Sequence, residues 1–170
     1  MNATKNDKGK PRTDLLPAKA CCYVWKYGQH SYVPIQDPHL SVFSLLEKHN
    51  KEDDVFLLSD AYVGFCEDYG IGVAESFVLV GDVLAIGEEK YGAHNWRNGL
   101  ARSRLVGAMV RHAMQLDELD EESGKPHVHH TLCNILFQLE YVLNGLGVDD
   151  RFSYNEACSH DSPKTMSTND

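Results

Sequence analysis

The chain has 170 residues, of which 42% are apolar and 24% charged, and a formal net charge of −9. That length suits one domain with a sizeable core and excludes two ordinary ones. The negative balance argues against general nucleic-acid binding, which needs a surplus of Lys and Arg to displace counterions.

The N-terminal stretch "MNATKNDKGKPRTDLLP" is polar and lacks the apolar segment of a secretory signal. No run approaches the roughly 18 apolar residues of a membrane helix. The five cysteines, with Cys21 and Cys22 adjacent and no C-x-x-C, do not read as a disulfide framework. A reducing, cytoplasmic setting is expected.

In chain order, residues 1–17 read as an arm ending in "GKPRTDLLP", its first 13 residues mobile. Residues 18–72 read as mixed or irregular: "CCYVWKYGQHSYVPI" leaves strand and irregular structure open, and "VFLLSDAYVGFCEDYG" leaves helix and strand open. Between them "LSVFSLLEKHN" (40–50) predicts a short amphipathic helix. After Gly72 the periodicity predicts three helices, at about 73–91, 103–120 and 127–145, joined by "YGAHNWRNGLA" and by a Gly-Pro break in "SGKP". Such short connections imply an all-α antiparallel bundle over 73–148. Residues 149–170 are polar and are expected to be a disordered tail.

Residues seven apart on a helix lie nearly above one another, with three- and four-residue steps on the same side. On the first helix this aligns Glu75, Asp82 and Glu89; on the second, Arg104, Arg111, Gln115, Glu118 and Glu122; on the third, His127, His130, Asn134 and Gln138. A polar stripe usually faces water. His, Asn and Gln solubilise poorly but ligate and hydrogen-bond well, so the third stripe is expected to face inward. His127 and His130, at i and i+3, can converge on one ion, with Asp120 and Glu122 across a short turn. Imidazole with carboxylate suits divalent transition metals, and carboxylate-rich shells suit Mg²⁺ and Mn²⁺. His129 falls on another face and reads as surface; for His112, a core and a functional role both stay open.

The second cluster is "EEKYGAHNWRNG" (88–99). Lys90, Arg97, Arg102 and Arg104 concentrate positive charge that can clamp phosphates. Tyr91 and Trp96 can stack on a base and Asn95 can read its edge, although a turn with Trp96 in the core gives the same sequence.

"GKPRTDLLP", "KYGAHNWRNG", the Arg111-His112 pair and "DEESGKPHVHHTLCN" (120–134), four blocks in the same order, together resemble the phage MazZ-type dATP/dGTP diphosphohydrolases. Those enzymes are a branch of the MazG-like all-α nucleotide pyrophosphatases. Two departures stand out. Residues 18–72 intervene where the resemblance has the arm running into the first helix. The MazG-type E-x-x-E is present only as "ELDE" (118–121), and its E-x-x-D partner is replaced by His127-x-x-His130.

The resemblance implies hydrolysis of purine deoxynucleoside triphosphates, dGTP or dATP, to the monophosphate and pyrophosphate, with Mg²⁺ or Mn²⁺. In a phage this would remodel the nucleotide pool for a diaminopurine-containing genome. The metal set is then Glu118, Asp120, Glu122, His127, His130 and Glu89. Lys90, Arg111, His112, Glu118 and Glu122 are the catalytic candidates, a carboxylate taking the proton of the attacking water. Lys10, Arg12, Tyr91, Asn95, Trp96, Arg97, Arg104 and Asn134 are the substrate-binding candidates. A homodimer or homotetramer is expected, with no membrane or nucleic-acid partner. The alternatives are a histidine-aspartate type phosphohydrolase, whose sequence pair occurs only at His160-Asp161, and a non-catalytic helical oligomer binding nucleotide or metal.

Overall fold

The computed structural model describes residues 9–30 and 37–153, in which six α-helices surround one apolar core. They are α1 (Ala18–His30), α2 (Pro38–Ser44), α3 (Lys51–Asp68), α4 (Val73–Tyr91), α5 (Arg102–Ala113) and α6 (His127–Asn144), with single 3₁₀ turns at Thr13–Leu15 and Asn95–Asn98. Among the described residues there is no strand, only isolated bridges such as Ala101 with Val148.

The helix ends follow from local chemistry. Asp37 caps α2 through the His39 N–H at 2.9 Å, with Pro38 in the first turn. Asn50 caps α3 by accepting from the N–H groups of Glu52 and Asp53, and Glu52, Asp53 and Asp54 put negative charge at its positive end. α4 matches its expected span and stops at Gly92 (φ 86°); α6 starts after Pro126 and stops at Gly145 (φ 64°). α5 is shorter than the pattern predicts, ending at Ala113. The next residues include Asp117, Glu118, Asp120, Glu121 and Glu122, and carboxylates are unfavourable at the negative end of a helix.

α6 is the central element and packs on α1, α3, α4 and α5. Leu132, Ile135, Leu136 and Leu139 of α6 are fully buried, with Leu58, Tyr62 and Phe65 of α3, Met109 of α5, Val80 of α4 and Val24 of α1. Each such side chain contributes about 1.5–3 kcal/mol of burial free energy. The described residues of 18–72, a segment expected as mixed or irregular, therefore carry three helices that build this same core, with irregular connections at 45–50 and 69–72; residues 31–36 lie outside the described residues. α3 accounts for the ambiguity: an unbroken run from Leu58 to Cys66 is buried, so its sequence shows no one-sided periodicity. No single helix among the described residues is long and apolar enough to cross a membrane; α3 and α4 pass that test only as a pair bent by 98°.

Both ends of the bundle are tied down. The Arg12 N–H donates to the Gly81 carbonyl at 3.0 Å, and a Cβ on Gly81 would sit 3.3 Å from Pro11 and Thr13, so glycine lets the arm lie close on α4. At the other end, Asp149 and Arg151 are docked although a tail was expected from 149; residues 154–170, including His160-Asp161, lie outside the described residues. Buried Asp54 accepts from Arg102 at 2.7 Å and from Arg151 at 2.8 and 3.1 Å. Arg151 also binds Asp149, whose carboxyl it holds below the ordinary value, and donates to the carbonyls of Leu45 and Glu47. Gln138, the last residue of the α6 polar stripe, accepts from Arg102 Nε at 3.1 Å and donates to the Arg102 carbonyl at 3.2 Å.

Candidate active site

The last turn of α5 carries His112 and the first turn of α6 carries His127 and His130. The acidic loop between these helices is folded tightly. The Asp120 N–H donates to the Lys125 carbonyl (2.9 Å), and the Gly124 N–H returns to the Asp120 carbonyl (2.7 Å), with Gly124 at φ 66°. The His127 N–H donates to the Glu118 carbonyl at 3.0 Å. This closure brings together side chains that the sequence separates by up to 18 residues.

The three imidazoles form a nest. Nδ1 of His112 lies 2.7 Å from Nδ1 of His127, so a single proton serves both nitrogens. The His130 ring stacks on His112 with centroids 4.7 Å apart and planes at 15°. His130 Nε2 is 2.7 Å from the Ser123 hydroxyl and 3.8 Å from Asp120 Oδ2. Ligand atoms of His112, Asp120 and His127 all lie within 4.8 Å of one another, a group able to hold a metal ion.

Burial, with the neighbouring His130 and His127, pushes the His112 pKa from 6.5 down to about 4. Burial also lowers His130, against the pull of Asp120. For Asp120 burial acts upward, but hydrogen bonds from Ser123 and the adjacent imidazoles outweigh it and the net shift is downward. At neutral pH, His112 and His130 are neutral and Asp120 is ionised, the protonation states that metal ligands require.

This shift predicts a pH dependence. An unfolded histidine gains its proton near pH 6.5, whereas folded His112 resists until about pH 4. Between those values the unfolded chain binds more protons, so stability falls as pH falls. The melting temperature of metal-free protein should decline as pH is lowered across this window, and His112→Asn should flatten the decline. Parallel curves for the two proteins would refute the assignment.

Beside the nest opens a cavity of about 580 Å³. Its lining includes Lys90 of α4 with Arg104 and Arg111 of α5; His112, Asp120, Glu122 and His130 stand at the nest; Tyr91, Trp96, Asn95 and Asn134 line the remainder. At the rim Lys90 pairs with Glu122, and both are largely exposed. Six of the expected site residues lie off the cavity surface. Lys10, Glu89, Arg97 and Glu118 are exposed, and His127 is buried behind His112. Arg12, on the arm, pairs with Asp14 and with Glu88 of the cavity wall. Of the α4 stripe, Glu75 is exposed and Asp82 pairs with Lys125 at 3.0 Å. His129, expected at the surface, is half-buried with an unpartnered Nδ1 and stays out of the nest.

The sequence reading missed Glu88, Ser123, Phe137 and His94 as cavity residues. Glu88 sits one step round the helix from the Glu75–Asp82–Glu89 stripe. His94 is the only non-glycine residue at positive φ (56°) among those described, and no one-dimensional pattern marks it.

Trp96 is only 7% exposed. Its indole N–H donates to the Leu15 carbonyl at 3.2 Å, Phe137 stacks on it at 5.2 Å, and the Arg97 guanidinium lies 5.1 Å from the ring centre. With these neighbours engaged, Trp96 is a core residue that pins the arm. Trp96→Ala should cost roughly 3–5 kcal/mol of stability in a denaturant titration. An unchanged midpoint would contradict that role.

The all-α bundle is consistent with the architecture of the MazG-like nucleotide pyrophosphatases. Residues 68–151 match the family described as dATP/dGTP diphosphohydrolase, N-terminal. A dATP/dGTP diphosphohydrolase of Salmonella phage PMBT28 is 40% identical over 75 residues, which cover 42% of this chain and 26% of that protein. The chain thus corresponds to about a quarter of the length of that curated relative. No solved structure matches. The segment similar to the dATP/dGTP diphosphohydrolases, residues 68–151, includes α4–α6, the acidic loop and the Asp149–Arg151 anchor.

Proposed function

We propose that the chain hydrolyses purine deoxynucleoside triphosphates, dGTP or dATP, between the α and β phosphates, giving the monophosphate and pyrophosphate. The observation that carries this reading is one cavity lined by Lys90, Arg104 and Arg111 and by members of the histidine-aspartate nest, within the family-matched segment. Cationic walls suit a triphosphate, and the nest offers the donors a divalent cation needs.

Lys90, Arg104 and Arg111 bind the phosphate oxygens, Arg104 and Arg111 with the planar fork suited to them. Tyr91, 60% exposed at the cavity, offers its ring to the base, and Asn95 and Asn134 offer amide groups to the base edge. Lys10 and Arg12 bring the arm toward the phosphates once Arg12 exchanges Glu88 for substrate. Arg97 braces Trp96. Glu122 takes the proton of the attacking water after releasing Lys90 to a phosphate. The residues that would hold metal are His112, Asp120 and His127, with His130 and Glu122 adjacent and Glu118 and Glu89 as outer carboxylates. Mg²⁺ or Mn²⁺, when bound, offsets phosphate charge and acidifies water.

The role inferred from the resemblance is removal of dATP and supply of dGMP for a diaminopurine-containing genome, by a homo-oligomer. The reaction is tested by incubating the protein with each deoxynucleoside triphosphate and Mg²⁺ or Mn²⁺ and separating the products. Monophosphate with pyrophosphate is expected. Triphosphate or phosphate as product would support the histidine-aspartate type, and no turnover a binding protein. If Tyr91 stacks on the base, Tyr91→Ala should raise KM roughly 5- to 150-fold, the equivalent of about 1–3 kcal/mol, with a smaller change in kcat. A change in kcat alone would place the base elsewhere.

A further inference from the structure

The donor set of the nest differs in kind from a magnesium site. Two of the three members of the ligand group, His112 and His127, offer nitrogen, and only Asp120 offers oxygen. Mg²⁺ prefers an octahedron of oxygens and gives up its waters reluctantly. Imidazole nitrogen suits zinc, iron, nickel and their neighbours.

The charge pattern around the nest is a second, independent observation. Glu122 has Lys90, Asp82 has Lys125 and Glu88 has Arg12. Asp120, only 20% exposed, pairs with no Lys or Arg among the described residues; its neighbours are the Ser123 N–H at 2.9 Å and His130. Its negative charge is left for a cation from outside the chain.

The two imidazole nitrogens need little adjustment; the Asp120 carboxylate, within 4.8 Å of both, has to close in. Two nitrogens bound to one ion at roughly 2.0–2.1 Å lie about 2.9–3.4 Å apart in octahedral or tetrahedral positions. The His112–His127 pair stands at 2.7 Å and has to open by a few tenths of an ångström. The stacked His130 and the bond from His127 N–H to Glu118 hold the two rings in place while it does.

We propose that the nest is a resident transition-metal site that selects Mn²⁺, Fe²⁺, Co²⁺ or Zn²⁺ over Mg²⁺, with His112, His127 and Asp120 as ligands. Magnesium enters the reaction with the triphosphate instead. This deepens the reading of the nest as the metal site of the proposed hydrolysis, and binding can be measured apart from turnover.

The test is a titration of the chelator-stripped chain with CoCl₂ near neutral pH, followed by visible absorption and by calorimetry. One saturable equivalent of Co²⁺ with d–d bands is expected, persisting in a large excess of MgCl₂. His127→Gln and Asp120→Asn should each weaken binding by roughly tenfold or more, the scale seen when metal shells are perturbed. Glu67→Gln, exposed on α3, should not. If His127→Gln loses its helical circular dichroism, Asp120→Asn in the loop decides the matter. No saturable Co²⁺ spectrum, or ready displacement by Mg²⁺, overturns the proposal even where nucleotide is hydrolysed. Tight Co²⁺ binding without turnover of any nucleotide upholds it and overturns the hydrolase reading.

Discussion

Asp54→Ala is expected to destabilise the protein by about 3–5 kcal/mol, the cost of removing one partner from a buried ion network. Asp54 is 1% exposed and accepts from Arg102 and Arg151, themselves 7% and 4% exposed. Without it Asp149 remains, 2.8 Å from Arg151 but 3.4 Å from Arg102, and it cannot neutralise both guanidinium groups. The loss falls on the fold: Arg102 begins α5, Arg151 holds the 149–153 segment against the carbonyls of Leu45 and Glu47, and Asp54 lies in the first turn of α3. Urea unfolding of Asp54→Ala and Asp54→Asn against the parent measures the effect. A change below about 1 kcal/mol in both, the scale of a surface ion pair, would show that the network is not a structural staple.

At the proposed site, Asp120→Ala should reduce turnover by roughly 100-fold or more, since it is the one carboxylate in the ligand group and also organises the loop through the Ser123 N–H. Glu122→Ala should cost about 10²–10⁴-fold if Glu122 takes the proton of water, and it should lower kcat more than it raises KM. Glu118→Ala is expected to cost less than either, because its side chain is exposed and off the cavity surface. Steady-state kinetics of the three variants, with circular dichroism to confirm folding, gives the ranking. A Glu118 loss larger than that of Glu122 would move the proton acceptor to the other side of the acidic loop.

Several features were legible one residue at a time because their causes are local. Gly72 and Gly92 bracket α4, Pro126 and Gly145 bracket α6, and the three-residue step from His127 to His130 puts both on one side of a helix. The inward turn of the His127–Gln138 stripe was also legible, since His, Asn and Gln make a poor water-facing surface. The blocks from Lys90 to Trp96 and from Asp120 to Asn134 carried the family resemblance, and residues 68–151 bear it out.

What required the tertiary structure are relations between distant segments. α3 is buried along most of its length, so hydrophobic periodicity could not separate helix from strand; its Asn50 cap and its packing on α6 decide it. α5 stops at Ala113 instead of reaching Asp120, because negative charge opposes a helix C-terminus and the loop has better partners in Lys125, Ser123 and His127. That early stop turns the acidic stretch back on α6 and sets His112 against His127. By itself, the sequence determined the three C-terminal helices, set by nearest-neighbour spacing along the chain, and its motif blocks carried the family resemblance. The packed bundle alone decided that His112 joins the nest, that Trp96 belongs to the core, and that Asp54 meets Arg102 and Arg151, because each depends on chain segments 15 to 97 residues apart meeting in space.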